Sequence, residues 1–147
     1  MINSQKKGKG FERECAHLLN KTTGGARWNR TSGSGAMHTA QGIQDNRFRG
    51  DLFSEDPRFK DVIVECKIQR KPINLYDLVN PKSIWNEWIT QTQKESGGQT
   101  WILLFRWNAG NLMIASATSD IRLLEKMFDV PLVTVLRRGE LIVATFG

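Results

Sequence analysis

From residue 10 to residue 21 the apolar positions Phe11, Cys15, Leu18 and Leu19 recur at i, i+4, i+7 and i+8. That spacing gathers them on one side of an α-helix. Glu12 sits at the edge of the stripe, on the face shared with Ala16 and Leu19, whereas Arg13 and Glu14 point elsewhere. Residues 1–9 are polar and basic and read as a flexible arm. A long polar stretch over 22–50 follows, with a short strand signal at 26–30. The period then changes to two. Residues 51–53 and 61–67 read as strands joined at the turn Ser54-Glu55-Asp56-Pro57. After a helical turn at 74–79, a second clear helix is predicted with Asn80 as its N-cap and Pro81 in its first turn. Its buried face carries Ile84, Trp85, Trp88, Ile89 and Thr92, Gln91 shares that face, and Gly97-Gly98 ends it. Strands are predicted at 100–107 and 112–117 around the turn Asn108-Ala109-Gly110-Asn111. A short helix starting at Ser119 or Asp120 and reaching Phe128 follows, then strands at 132–136 and 141–146 around Arg137-Arg138-Gly139-Glu140. The order predicts an α/β fold, a single mixed β-sheet flanked by helices.

The abrupt end of one apolar run carries the chemistry. Val62-Ile63-Val64 leads into Glu65-Cys66-Lys67, so Glu65 and Lys67 point to one face and Cys66 to the other. A hairpin that sets Asp51 beside Glu65 brings two carboxylates and an ammonium to one spot. Carboxylates that close repel one another unless a cation lies between them. Mg²⁺ suits oxygen ligands and keeps waters, and Lys67 can orient one such water or stabilise charge in a transition state.

The 147 residues suit one domain with one core, and 39% hydrophobic with 24% charged is ordinary globular composition. No apolar run is long enough to span a membrane, and the N-terminus lacks the apolar stretch of a signal peptide. Two cysteines, Cys15 on a helix and Cys66 in a strand, make no disulfide framework and point to a reducing cytoplasm. Charge is uneven. Residues 1–71 hold 14 Lys and Arg against 8 Asp and Glu, while residues 72–147 hold 7 against 7. The whole excess of +6 lies in the half with the carboxylates, and nucleic acid is the natural partner. Ser32-Gly33-Ser34-Gly35 lets backbone N–H groups approach an anion, with Arg27, Arg30, Arg47 and Arg49 flanking it. It lacks the Gly-Lys-Ser/Thr ending of a nucleotide loop, which argues against ATP. His17 and His38 are the only histidines. They are too few for an HNH-type nuclease, and no zinc site or Ser-His-Asp triad fits their placement.

Taken together, Lys9-Gly10-Phe11-Glu12-Arg13-Glu14, Arg30-Thr31-Ser32-Gly33-Ser34-Gly35, Gly50-Asp51, Val64-Glu65-Cys66-Lys67 and a following helix with Trp88 and Gln91 resemble the PD-(D/E)xK nuclease superfamily. Within it they are similar to the archaeal and phage-type Holliday junction resolvases. The similarity covers roughly residues 7–107. It implies a restriction-endonuclease-like core over 10–107, with 108–147 completing the sheet of one nuclease domain. It implies that Asp51, Glu65 and the Cys66 backbone carbonyl bind Mg²⁺ (or Mn²⁺ as a substitute), and that Lys67 positions the attacking water. Glu12 would help hold a second metal, and Gln91 would support the site. Lys9, Arg27, Arg30, Ser32, Ser34, Arg49 and Lys71 would contact DNA. The implied reaction is hydrolysis of a DNA phosphodiester by a homodimer acting on branched or four-way DNA. Rival readings are a restriction-type or phage-recombination nuclease on duplex or single-stranded DNA, and a DNA-binding module without catalysis. Gly50 stands where the superfamily motif has proline, and the loop after Ser34 is long.

Overall fold

The computed structural model describes residues 4–31, 50–108, 110–117, 124–126, 128 and 132–146. Helix α1 (Ser4–Thr22) is followed by β1 (Trp28–Arg30), β2 (Leu52–Ser54) and β3 (Val62–Gln69). Helices α2 (Leu75–Val79) and α3 (Ile84–Ser96) come next, then β4 (Thr100–Trp107), β5 (Met113–Ala117), β6 (Leu132–Arg138) and β7 (Leu141–Phe146). The strands form one seven-stranded sheet in the order β1-β2-β3-β4-β5-β7-β6. Only β3 and β4 pair in parallel, from Val62 opposite Thr100 to Gln69 opposite Trp107. A parallel pair needs a crossover, and α2 and α3 supply it.

The sheet has an apolar core on each side. On one, Val62, Val64 and Cys66 of β3 and Ile102 and Leu104 of β4 pack against Phe11, Cys15, Ala16 and Leu19 of α1. On the other, Ile63, Leu103 and Phe105 meet Trp85, Trp88 and Ile89 of α3, with Ile73 and Leu78 from the α2 region. Alternation along β3 and β4 separates the two sets. Each fully buried aliphatic side chain here contributes roughly 1.5–3 kcal/mol. Trp85 and Trp88 are core residues, as their helical spacing predicts.

Several boundaries differ from the sequence-based expectation. Helix α1 begins at Ser4, so residues 4–9 are helical and do not belong to an arm. Asn80 does not cap α3. It is the C-cap of α2, and Ser83 caps α3 by accepting the Asn86 N–H at 3.2 Å. The Asn80 carbonyl instead accepts the Asn86 side-chain amide at 2.6 Å. Gly97 ends α3 in the left-handed conformation, as expected. The strand at 100–107 has the bounds that its apolar run predicts. The last two strands pair with each other, and β7 lies between β5 and β6. Of the short helix expected up to Phe128, residues 124–126 are helical, Leu124 and Phe128 are buried, and the rest lies outside the described residues. No helix among the described residues is long and apolar enough to cross a membrane.

Candidate active site

Leu52 pairs with Val64 in the antiparallel β2–β3 hairpin, which sets Asp51 opposite Glu65. The backbone at Asp51 is fixed from both sides. Its N–H donates to the Val64 carbonyl at 2.7 Å, and its carbonyl accepts the Thr31 N–H at 3.0 Å. The Thr31 hydroxyl donates to the Gly50 carbonyl at 2.9 Å. Gly50 enters this arrangement at φ 67, and a Cβ there would stand 2.7 Å from the Val64 carbonyl oxygen. Only glycine fits both the backbone angle and the space. The Asp51 carboxylate accepts the Cys66 backbone N–H at 2.8 Å, which aims it across the hairpin at the end of β3.

Glu65 is 4% exposed on the α3 face of the sheet. Its carboxyl is pushed up to about 11, first by burial, then by a hydrogen bond with Glu95 and by the nearby Asp51 carboxylate. Glu95, on the last turn of α3, is held below the usual carboxylate range by the same hydrogen bond, by the Gln91 amide and by the Lys67 charge. Burial thus favours the neutral form of Glu65, while Glu95 favours its charged form beside Lys67. Lys67 follows Glu65 on the same face and is half-buried. Cys66 points to the other face, where burial and the neighbouring Cys15 raise its thiol well above the ordinary range. Both cysteines are free.

The structure thus gathers Asp51, Glu65 and Lys67 and adds Glu95, which the sequence reading missed. A signal for it existed. Glu95 lies seven residues after Trp88 and three after Thr92, on the spacing of the buried stripe. Gln91 is the converse case. It was expected on the buried face and is exposed, donating its amide to Glu95 at 3.1 Å. Ile84, one of the residues used to define that face, is itself 51% exposed, so the stripe runs through Trp85 and Ile89 instead.

Glu12 does not join the carboxylates. Its carboxylate accepts from the Arg30 guanidinium at 2.7 Å, on the α1 side of the sheet. The pair ties α1 to β1, next to Thr31 and its bonds to Gly50 and Asp51. Arg30 is accordingly engaged in an ion pair, while Lys9, Arg27 and Lys71 are exposed. Ser32, Ser34, Arg47 and Arg49 lie outside the described residues.

The donor set suits a hard divalent cation. Asp51 and Glu65 offer carboxylate oxygens, the Cys66 carbonyl is on the same strand end, and the crowding that keeps Glu65 protonated is what a cation would relieve. Among the described residues no three His, Cys, Asp or Glu side chains form a group that could hold a metal ion.

The chain matches the family model described as "Phage putative PDDEXK endonuclease" over residues 3–138. The chain belongs to this PDDEXK family. No curated protein and no solved structure matches it. Membership makes the protein a nuclease with a restriction-endonuclease-like α/β core, and it accounts for one sheet extending through most of the matched region. In this PDDEXK chain the β2–β3 hairpin brings Gly50-Asp51 and Glu65-Cys66-Lys67 together.

Proposed function

We propose that the protein is a Mg²⁺-dependent DNA endonuclease that cuts branched DNA as a homodimer, with Asp51, Glu65 and Lys67 as its catalytic residues. The observation that carries the reading is the hairpin register, which sets Asp51 opposite Glu65 with Lys67 on the same face. Asp51, Glu65 and the Cys66 carbonyl would hold the cation, which supplies Lewis-acid stabilisation of the phosphate and a water of lowered pKa. The Asp51 side chain is kept in position by the Cys66 N–H. Glu65 would hold the cation in its ionised form, the charge that the cation would offset. Lys67 then orients the attacking water towards phosphorus and offsets charge growing on the phosphate oxygens. Glu95 and Gln91 support this from α3, Gln91 by donating its amide to Glu95 and Glu95 by balancing the Lys67 charge. Glu12 and Arg30 brace the β1 side of the hairpin. The excess positive charge in residues 1–71, with Lys9, Arg27 and Lys71 exposed, suits a phosphate backbone.

Preference for four-way junctions and the dimer rest on the likeness to junction resolvases. A junction has two-fold symmetry, and paired cuts need two sites related by a two-fold axis. The test is cleavage of a labelled four-way junction beside matched linear duplex and single strands, with Mg²⁺, Mn²⁺ or EDTA. Symmetric cuts near the branch only with metal are expected. Cutting of linear or single-stranded DNA in preference would retain the nuclease and remove the junction specificity. Binding without cleavage in every metal would leave a DNA-binding module.

A further inference from the structure

Helix α2 is short, yet it is unusually well anchored. Asn74 and Asp77 close a capping box at its start, and Ile73 and Leu78 are buried beneath it. Its end is clamped by polar groups from three other places. The Ser83 hydroxyl donates to the Asp77 carbonyl at 2.6 Å. The Asn86 amide donates to the carbonyls of Asp77 at 3.2 Å and Asn80 at 2.6 Å. Arg138, from the far edge strand, donates to the Leu78 carbonyl and to the Asn86 side chain.

What this base presents outward is apolar. Tyr76, the only tyrosine of the chain, is 69% exposed, Val79 on the same helix is 49% exposed, and Ile84 at the start of α3 is 51% exposed. Tyr76 and Val79 are three apart and share one face of α2. Exposed cations flank them in sequence: Arg70 and Lys71 before α2, and Lys82 after it. The patch begins directly after β3, whose end carries Lys67. Ile84 and Glu95 stand near opposite ends of α3, about 16 Å apart along its axis, so the patch lies away from the carboxylates.

From this we infer that Tyr76, with Val79 and Ile84, is a stacking platform for unpaired bases of the DNA substrate, ringed by Arg70, Lys71 and Lys82 as phosphate contacts. The inference rests on the nuclease reading and deepens it, because it assigns the means of recognising DNA that is not fully paired. An aromatic ring has a face that any base can stack on, and cations at its rim hold the backbone. A blunt duplex offers no free base face, so the platform discriminates between DNA shapes, not sequences. The rigid base matters for the same reason. A backbone already held in place need not be ordered when a base lands on the ring it carries.

The test is fluorescence anisotropy of the full-length protein in EDTA, with a labelled fork bearing unpaired arms and with a blunt duplex of the same sequence. The wild type should prefer the fork. Tyr76→Ala should weaken fork binding about ten-fold and leave the duplex within about two-fold, and Tyr76→Phe should restore fork binding. Val79→Ser should weaken the fork to a lesser degree. Equal fork affinity in wild type and Tyr76→Ala would overturn the platform, as would no preference for the fork in the wild type or equal losses on both DNAs. A change in oligomeric mass by light scattering without a change in DNA affinity would overturn it in favour of a contact with a second copy. Cleavage by the wild type, measured in parallel with Mg²⁺ and Mn²⁺, separates this from the nuclease reading. Cleavage with an unchanged Tyr76→Ala affinity sinks only the platform, and a Tyr76 effect without any cleavage sinks only the nuclease.

Discussion

Strand β3 has two faces made from consecutive residues, and they are built for different ends. Towards α1 it presents Val62, Val64 and Cys66, all buried among apolar side chains. Towards α3 it begins the same way, with Ile63 in the tryptophan core, and then turns to Glu65 and Lys67. The α1 face gives up nothing to function. The α3 face sacrifices apolar packing at its end and accepts a carboxyl that burial disfavours in its charged form. A site at the end of a strand can thus be unstable by itself, because the opposite face of the same strand holds the backbone. The two-residue period does the partitioning, and one peptide bond separates an apolar packing residue from a charged one.

That contrast can be broken at several points. The largest effect is expected on the α3 side. Asp51→Asn should reduce metal-dependent cleavage by about a thousand-fold, the scale of losing several kcal/mol of transition-state stabilisation, while circular dichroism shows an unchanged fold. Lys67→Ala should cost about a hundred-fold in single-turnover cleavage with DNA affinity retained. Full cleavage by that variant would remove Lys67 from the mechanism. On the α1 side the signs reverse. Leu19→Ala should lower unfolding free energy by about 2–5 kcal/mol in urea titrations and leave single-turnover cleavage by the folded fraction unchanged.

A smaller effect separates the faces by pH. The folded Glu65 carboxyl is raised from 4.5 to about 11 without metal. A raised carboxyl contributes its full stability below the unfolded value and loses it as pH climbs towards the folded one. In EDTA the melting temperature of the wild type should therefore fall steadily between about pH 5 and about pH 9. Glu65→Gln, which cannot ionise, should flatten the profile, and a flat wild-type profile would count against a buried, protonated Glu65. Glu12→Gln should have the smallest consequence, about 1 kcal/mol or less of stability from a partly exposed pair. A loss of cleavage as deep as that of Asp51→Asn would instead restore Glu12 to the metal site.

The sequence was most legible where one short-range rule decides. The β2–β3 hairpin, β4 and the Gly97 stop all follow from local apolar runs and turn residues. It was least legible where a choice between equal candidates depends on partners far along the chain. Asn80 and Ser83 both suit an N-cap, and the tertiary bonds to Asn86 choose between them. Gln91 and Glu95 both lie near the edge of the α3 stripe, and the exact rotation of the helix over β3 decides which reaches Glu65. Glu12 sits at the edge of the α1 stripe, and the partner it finds is Arg30, 18 residues further on in β1, a long-range choice that neither segment's own pattern makes. The insertion of β7 between β5 and β6 is likewise a pairing choice that the two strands' own sequences leave open.

Gly50 closes off one evolutionary route. With its backbone in the left-handed region and no room for a Cβ beside the Val64 oxygen, this position has no viable neighbour in sequence space. Proline, the residue the superfamily motif carries there, is the furthest from reach, since its ring fixes φ on the opposite side of zero. To regain that proline, the chain would have to re-route its approach to Asp51 in the same event, releasing Thr31 and the Val64 carbonyl together. A side chain at this entrance would have to displace the Val64 carbonyl that receives the Asp51 N–H, so the turn and the carboxylate it delivers stand or fall together.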